Sequence, residues 1–356
     1  MKFKGVIQAM EARMMEEQGM QSFIERSGGV QSIEKMPGDA STRRYYRIKA
    51  LDEKNSLRSL VMMAMEPFEE KGANIPFLAI QKHLRNAGVD VPEVLDIDPK
   101  NGFILLEDLG DTTLLRSLQE VSGSEQERVY FEKAIDALVT LHTKTGPASA
   151  NDAEKAVIDG FKLRFDHEKL MWEVNFTIEH FYQKHLQRTF KEQDYKIIQE
   201  GFSKICNELA NEPTVFTHRD YHSRNLMVTE TGRYVMIDFQ DARMGPCQYD
   251  LASLLRDSYY QLDEKQIQYL TGYYLEQMKL KGSEIKDLKQ FERMFDLMAV
   301  QRNFKAIGSF ASFLNRRGNP AYLKFIGNTF ENIRRNLLKY PEFQQLREVL
   351  YHYYYF

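Results

Sequence analysis

The chain of 356 residues is 43% hydrophobic and 28% charged, and its 48 Lys and Arg nearly balance 51 Asp and Glu for a net charge of −3. Single cores stop growing near ~250–300 residues, so two lobes are expected, and the near-neutral balance argues against a general nucleic-acid binder. Two distant cysteines, Cys206 and Cys247, exclude a disulfide framework, no apolar run approaches the ~20 residues of a membrane span, and Glu11, Arg13, Glu16 and Glu17 break the first apolar stretch in a way no signal peptide does, so a cytoplasmic protein is expected.

Val6 to about Arg26 carries apolar residues at helical spacing and predicts a helix stopped by Gly28-Gly29. Ile33–Met36, Arg43–Ala50 and Arg58–Met65 predict three short strands, separated by the turn-forming clusters PGDAST and LDEKNS. Pro76–Ala87 reads as a helix with Pro in its first turn and Gly88 at its end, and Glu93–Ile97 and Gly102–Glu107 as two more strands. Beyond Asp111 the pattern turns helical: Glu125–His142, Phe161–Gln187, Tyr195–Asn211 and most of Leu251–Arg347, interrupted by a β-rich stretch over Val215–Asp238. The closing YHYYYF is expected to pack against the helices.

The chemistry lies in THRDYHSRNLMVTETGRYVMIDFQD, Thr217 to Asp241. His218-Arg219-Asp220 is followed by Asn225 five residues after the Asp, and Ile237-Asp238-Phe239 comes later, with Asp238 eighteen residues past Asp220. Two short strands and a turn at Glu230–Gly232 join these parts and bring Asp220, Asn225 and Asp238 together. Transfer of a γ-phosphoryl group is mostly positioning and charge neutralisation. One Asp can orient the acceptor hydroxyl and take its proton, while an Asn and a second Asp supply hard oxygens for Mg²⁺ on the nucleotide phosphates.

This segment resembles the aminoglycoside phosphotransferase and choline kinase superfamily, whose fold is similar to that of protein kinases. The phrases GDASTRRYYRI, FILLEDLGD, MIDFQDARMGPCQYDLASLLRDSY and FDLMAVQRNFKAIGSF resemble one branch more closely, the bacterial anomeric kinases of N-acetylmuramate and N-acetylglucosamine in cell-wall recycling. The resemblance runs from about residue 22 to 335. It implies an α+β, protein-kinase-like, two-lobed fold: residues 1–107 as a small β-rich lobe with an N-terminal helix, and 108–356 as a mostly helical lobe. It also implies ATP as co-substrate, Mg²⁺ as cofactor, a small amino sugar as acceptor, no nucleic-acid or membrane partner, and a monomer. Asp220 takes the catalytic position, and Asn225 and Asp238 the metal positions. Asp241 lies within reach of the same site, while Asp250 reads as a helix N-cap and ion-pair residue.

At the nucleotide end, PGDAST occupies the place of a phosphate-covering loop, with Ser41 and Thr42 as hydroxyl donors. The third strand, LVMMAM, lacks the lysine that kinases put there. Alternation places Arg44 on the face of Tyr46 and Ile48; with Ile48 over the adenine, Arg44 would point to the phosphates and could hold them in bidentate fashion. Glu107 and Leu109 fall in the linker whose backbone meets the adenine edge in kinase-like folds. At the acceptor end the candidates are Glu173, Trp172 as a stacking platform, His222 and Arg224 of the loop, and Gln301-Arg302. The competing expectations are an aminoglycoside- or choline-type kinase, and a catalytically silent nucleotide-binding scaffold suggested by the missing lysine.

Overall fold

The computed structural model describes residues 19–26, 29–37, 43–52, 54–69 and 75–355. Residues 19–25 are helical (α1). Five antiparallel strands follow: β1 (Gly29–Lys35), β2 (Arg44–Leu51), β3 (Leu57–Ala64), β4 (Val94–Asp98) and β5 (Phe103–Glu107), in the spatial order β1-β2-β3-β5-β4. The β2–β3 hairpin sets the register, with Ile48 opposite Leu60 and Arg44 opposite Ala64. Its turn is closed by the Asp52 carboxylate, which accepts from the amides of Lys54 and Ser56 at 2.9 and 2.8 Å. Alternation sends Ile48, Ala50, Leu60, Met62, Ala64, Phe103 and Leu105 to one face of the sheet, where Met20, Phe23 and Ile24 of α1 cover them.

Chain order continues through α2 (Pro76–Asn86), α3 (Leu114–Val121), α4 (Glu125–Lys144), α5 (Asp152–Val157) and α6 (His167–Thr177), which runs on as a π-helix over Ile178–His185. Next come α7 (Glu192–Ala210), β6 (Thr214–Thr217), β7 (Leu226–Val228), β8 (Tyr234–Met236) and β9 (Arg243–Pro246), then α8 (Gln248–Leu255), α9 (Glu264–Leu280), α10 (Leu288–Arg317), α11 (Ile326–Leu338) and α12 (Gln344–Tyr355). Contacts divide the chain into two units. The first ends at Ala79 and resumes over Val91–Gly110; the second holds Ile80–Asp90 and the chain from Asp111 on.

The helix α10 is the spine of the second unit. Phe295, Leu297, Met298, Phe304 and Ile307 along it are buried. At Gly308 it approaches α6 so closely that an added Cβ would lie 2.3 Å from Thr177 Oγ1. Thr177 Oγ1 also donates to the Phe304 carbonyl at 2.8 Å, which pins α6 to α10 at this level.

Several sequence expectations change. The first helix lies outside the described residues before Gly19, and Gly29 opens β1 rather than ending a helix. The helix expected from Phe161 begins at His167, because Asp166 caps it by accepting from the Lys169 amide. The strand β9 was not predicted: RMGP, with its Gly and Pro, reads as a turn, yet it pairs antiparallel with β6. The aromatic tail packs as expected, with Tyr354 stacked on Phe330 at 4.2 Å and 4°. No helix among the described residues is long and apolar enough to cross a membrane.

Candidate active site

Two strand pairs of the second unit deliver the candidate residues. The β6–β9 pair ends with Thr217 opposite Arg243, so His218-Arg219-Asp220 leaves the end of β6. The β7–β8 pair sets Leu226 opposite Met236, so Asn225 and Asp238 flank its open end. There the Ile237 amide donates to the Asn225 carbonyl at 3.0 Å, and His218 Nε2 reaches the Ile237 carbonyl at 3.0 Å. Asn225 Nδ2 donates to the Asp220 carbonyl at 3.0 Å. Asp220, Asn225 and Asp238 are therefore laced together through backbone bonds.

Backbone strain marks the same place. Arg219 and Asp238 have φ of 81° and 66°, left-handed values that non-glycine residues rarely adopt and that persist only where the surroundings over-determine them. For Arg219 the restraint is Asp250. Its buried carboxylate accepts from the His218 and Arg219 amides at 2.7 and 2.9 Å, and from His142 Nε2 at 3.2 Å. The sequence expectation of an N-cap is corrected here: Asp250 lies inside α8, whose N-cap is Cys247, and its bonds run to the loop. Asp257 plays a similar part lower down, accepting from the Ser223 amide and hydroxyl at 3.0 and 2.5 Å.

The charges around Asp220 define its state. Burial alone would raise its pKa, but Lys305, Arg219 and Arg302 outweigh burial and hold the carboxyl well below the usual range. Lys305 Nζ lies 2.9 Å from Asp220 Oδ1. Asp238 goes the other way. Burial raises it, the hydrogen bond from Gln240 only partly opposes this, and the nearby Asp220 and Asp241 push it further up. A carboxylate opposed by its own surroundings suits a hard divalent cation, which would restore the charged form. Among the described residues no group of three or more His, Cys, Asp or Glu could hold a metal, so such an ion would need oxygens from the nucleotide as well. Asp241 pairs with Arg219 at 3.2 Å, so its contact is with the loop arginine.

The acceptor-side candidates gather on α6 and α10 beside this loop. Glu173 is buried; its Oε2 accepts from Gln301 Nε2 at 3.1 Å, while its Oε1 and the Gln301 Oε1 have no hydrogen-bond partner. Arg302 is buried with its Nε unpaired. Burial, with Arg302 adding to it, lowers His222 to about 3, so its imidazole is neutral. Trp172 is 55% exposed, not core, and Lys169 Nζ sits 3.9 Å from its ring centre. Arg224 lies instead over the rings of Tyr259 and Tyr322, at 5.0 and 5.3 Å.

In the first unit the outcome is mixed. Ser41 and Thr42 lie outside the described residues. Ile48 is corrected: it is fully buried under α1, so its face of the sheet is closed to a base. Arg44 shares that face by alternation and is exposed at the start of β2, so the route to phosphates that depended on Ile48 does not follow. Glu107 Oε1 accepts from the Glu93 amide at 3.0 Å, and its own amide donates to the Glu93 carbonyl at 3.0 Å. Leu109, half-buried, follows Asp108, whose carboxylate takes Arg47 Nε at 2.8 Å and the Ser59 hydroxyl at 2.6 Å. Sequence alone gives no role to Lys169; it reads Asp250 as an N-cap and ion-pair residue ahead of the run holding Asp257, and sets Lys305 beside Gln301 and Arg302 without a partner. Lys305 had a signal, four residues after Gln301 on one helix face.

With this geometry in place, the family of the chain can be stated. A model of the phosphotransferase enzyme family matches residues 32–284. The N-acetylmuramate/N-acetylglucosamine kinase of Neisseria meningitidis serogroup B is 33% identical over 313 residues, 88% of this chain and 87% of the relative. The enzyme of the same name from Pseudomonas aeruginosa is 33% identical over 330 residues, covering 91% and 89%. Among solved structures, a choline/ethanolamine kinase family protein from Mesorhizobium loti superposes with a TM-score of 0.56 at 15% identity, covering 90% of this chain and 92% of that one, and shares the fold. The chain belongs to the phosphotransferase enzyme family. It is an ATP-dependent small-molecule kinase, and its use of ATP implies a divalent metal.

Proposed function

We propose that this kinase transfers the γ-phosphate of ATP, with Mg²⁺, to the anomeric hydroxyl of N-acetylmuramate or N-acetylglucosamine, as a cytoplasmic monomer acting on small molecules. The observation that carries the reading is the Asp220–Asn225–Asp238 arrangement inside a chain one-third identical to kinases of those sugars along most of its length. In this reading Asp220 orients the acceptor hydroxyl and receives its proton, and Asn225 and Asp238 hold the metal on the phosphates. Glu173, Gln301, Arg302 and His222 bind the sugar, and Trp172 lies along its exposed edge. Glu107 and Leu109 meet the base through their backbone, and the hydroxyls of Ser41 and Thr42 serve the phosphates.

The charge of the acceptor side weighs against choline- and aminoglycoside-type acceptors, which are cations. Lys169, Arg219, Arg302 and Lys305 stand around Asp220 and Glu173 and would repel them. A silent scaffold is disfavoured by two strained residues kept in place at the loop, a cost that binding alone does not require.

The test is the product. N-acetylglucosamine should yield a non-reducing sugar 1-phosphate, and its methyl glycoside, blocked at C1, should not react. A phosphorus–proton NMR cross-peak to the C6 protons, or turnover of the methyl glycoside, would overturn the anomeric assignment.

A further inference from the structure

Five cations crowd the acceptor side of the second unit: Lys169, Arg219, Arg243, Arg302 and Lys305, against the four carboxylates of Glu173, Asp220, Asp238 and Asp241. Each of the carboxylates has a partner of its own, Glu173 through Gln301 Nε2. Asp220 takes Lys305, Asp241 takes Arg219, and Asp238 accepts from Gln240. A metal at Asp238 would arrive on the nucleotide phosphates, whose negative charge it only partly offsets, so the cations nearest Asp220 serve the transferred phosphoryl group. A neutral sugar offers no charge to Lys169, which stands beside Glu173.

Among the described residues, Arg302, which is buried, and Lys169, which is partly open to solvent, have no hydrogen-bonded carboxylate. Lys169 lies in the first turn of α6, one helical turn before Glu173, and its Nζ is 3.6 Å from Glu173 Oε1. That is too long for a hydrogen bond, and among the described residues the ammonium makes none, although it carries three donors. The side chain is only 23% exposed. The ammonium also lies 3.9 Å from the ring centre of Trp172, which is 55% exposed. The ammonium therefore sits at a lip, between a buried carboxylate and an exposed indole. Burial lowers its pKa, Glu173 opposes this, and Arg219, Arg243 and Lys305 lower it further, so its surroundings favour an incoming anion.

We infer that Lys169 binds a carboxylate on the acceptor, and so makes this site prefer an amino sugar bearing a lactyl acid over its neutral counterpart. The inference rests on the sugar-kinase reading above and adds the choice between the two sugars. Stacking on Trp172 would hold either pyranose, whereas only the acid offers oxygens to the idle donors of Lys169.

The experiment compares kcat/KM for N-acetylmuramate, its lactyl carboxamide and N-acetylglucosamine, with the wild type, Lys169→Met and Lys169→Arg. For the wild type, the carboxamide should behave like N-acetylglucosamine rather than like the acid. Lys169→Met should lower the acid-to-neutral ratio by about tenfold, through KM rather than kcat, and Lys169→Arg should restore most of it. A structural role would depress both sugars together and leave the ratio fixed. An unchanged ratio in Lys169→Met, or a carboxamide as good as the acid, would overturn the inference while the sugar-kinase reading stands. Failure of the wild type to phosphorylate either sugar would bring down that reading and this inference with it.

Discussion

The Asp250 carboxylate is fully buried and holds three donors, the amides of His218 and Arg219 and the ring of His142. Replacing it by Asn keeps the shape but removes the charge and one acceptor oxygen, so an amide NH₂ must face one of the backbone N–H groups. Hydrogen bonds to a charged group are worth ~1.5–3 kcal/mol, and an orphaned buried donor costs ~1–3 kcal/mol. Losing one such bond and stranding one amide should cost about 3 kcal/mol. At ~2–4 °C per kcal/mol for a unit of this size, melting should fall by about 6–12 °C. The second effect is local. Weakening the Asp250 bond to the Arg219 amide loosens the hold on φ 81°, and relaxation there would displace Asp220, the next residue. A misplacement of ~1 Å can cost ~10² in rate. Differential scanning fluorimetry and steady-state kinetics on Asp250→Asn test both parts. Wild-type melting, or a lowered melting point with wild-type kcat at a temperature where the variant is folded, would refute the claim that Asp250 sets the loop.

Asp220→Asn should retain nucleotide binding by calorimetry and lose at least ~10²-fold in turnover, the usual scale for a positioned base; near-wild-type turnover would remove Asp220 from the chemistry. His222 gives a pH prediction. Burial and Arg302 hold it at about 3 in the folded chain, against ~6.5 when unfolded, so below pH ~6.5 the unfolded chain takes up a proton that the folded one refuses. The stability from a neutral His222 is complete above pH ~6.5 and falls by up to ~1.4 kcal/mol per unit as the pH drops toward 3. Urea unfolding of His222→Asn between pH 7 and about 4.5 should show a shallower acid loss than wild type, and an equal slope would reject the assignment.

The order of strands and helices was legible because the signals are local. Turn clusters bracket β2 and β3, and Asp52 closes the hairpin between them from within the cluster itself. The loop around Asp220 was legible for the same reason, since Asn225 and Asp238 are tied to it by short-range strand pairing. What failed depends on which face a neighbour covers. Alternation correctly groups Arg44, Tyr46 and Ile48, but only the packing of Phe23 and Ile24 tells that their face is closed. Asp250 likewise reads as a cap, because a helix-proximal Asp normally is one; its three donors come from segments 31 to 108 residues away in sequence. Lys305 meets Asp220 across 85 residues, a pairing that no local spacing encodes.

The low pKa of Asp220 has a bearing on which hydroxyl this site can use. A carboxylate held well below the usual range by Lys305, Arg219 and Arg302 is reliably ionised at neutral pH, yet it is a weak base. It cannot strip a proton from an ordinary alcohol before the phosphoryl group arrives. In a loose transition state little proton removal is needed early, because bonding to the nucleophile lags behind cleavage to the leaving group. In the proposed mechanism Asp220 would first orient the oxygen and take the proton late, as the new P–O bond makes that hydroxyl strongly acidic. An anomeric hydroxyl, acidified by the ring oxygen, narrows the remaining mismatch with a weak base. The cations that weaken Asp220 as a base are the same ones that keep it charged and in place, so a reading in which this residue orients first and accepts the proton second fits the site better than one in which it drives the reaction by deprotonation.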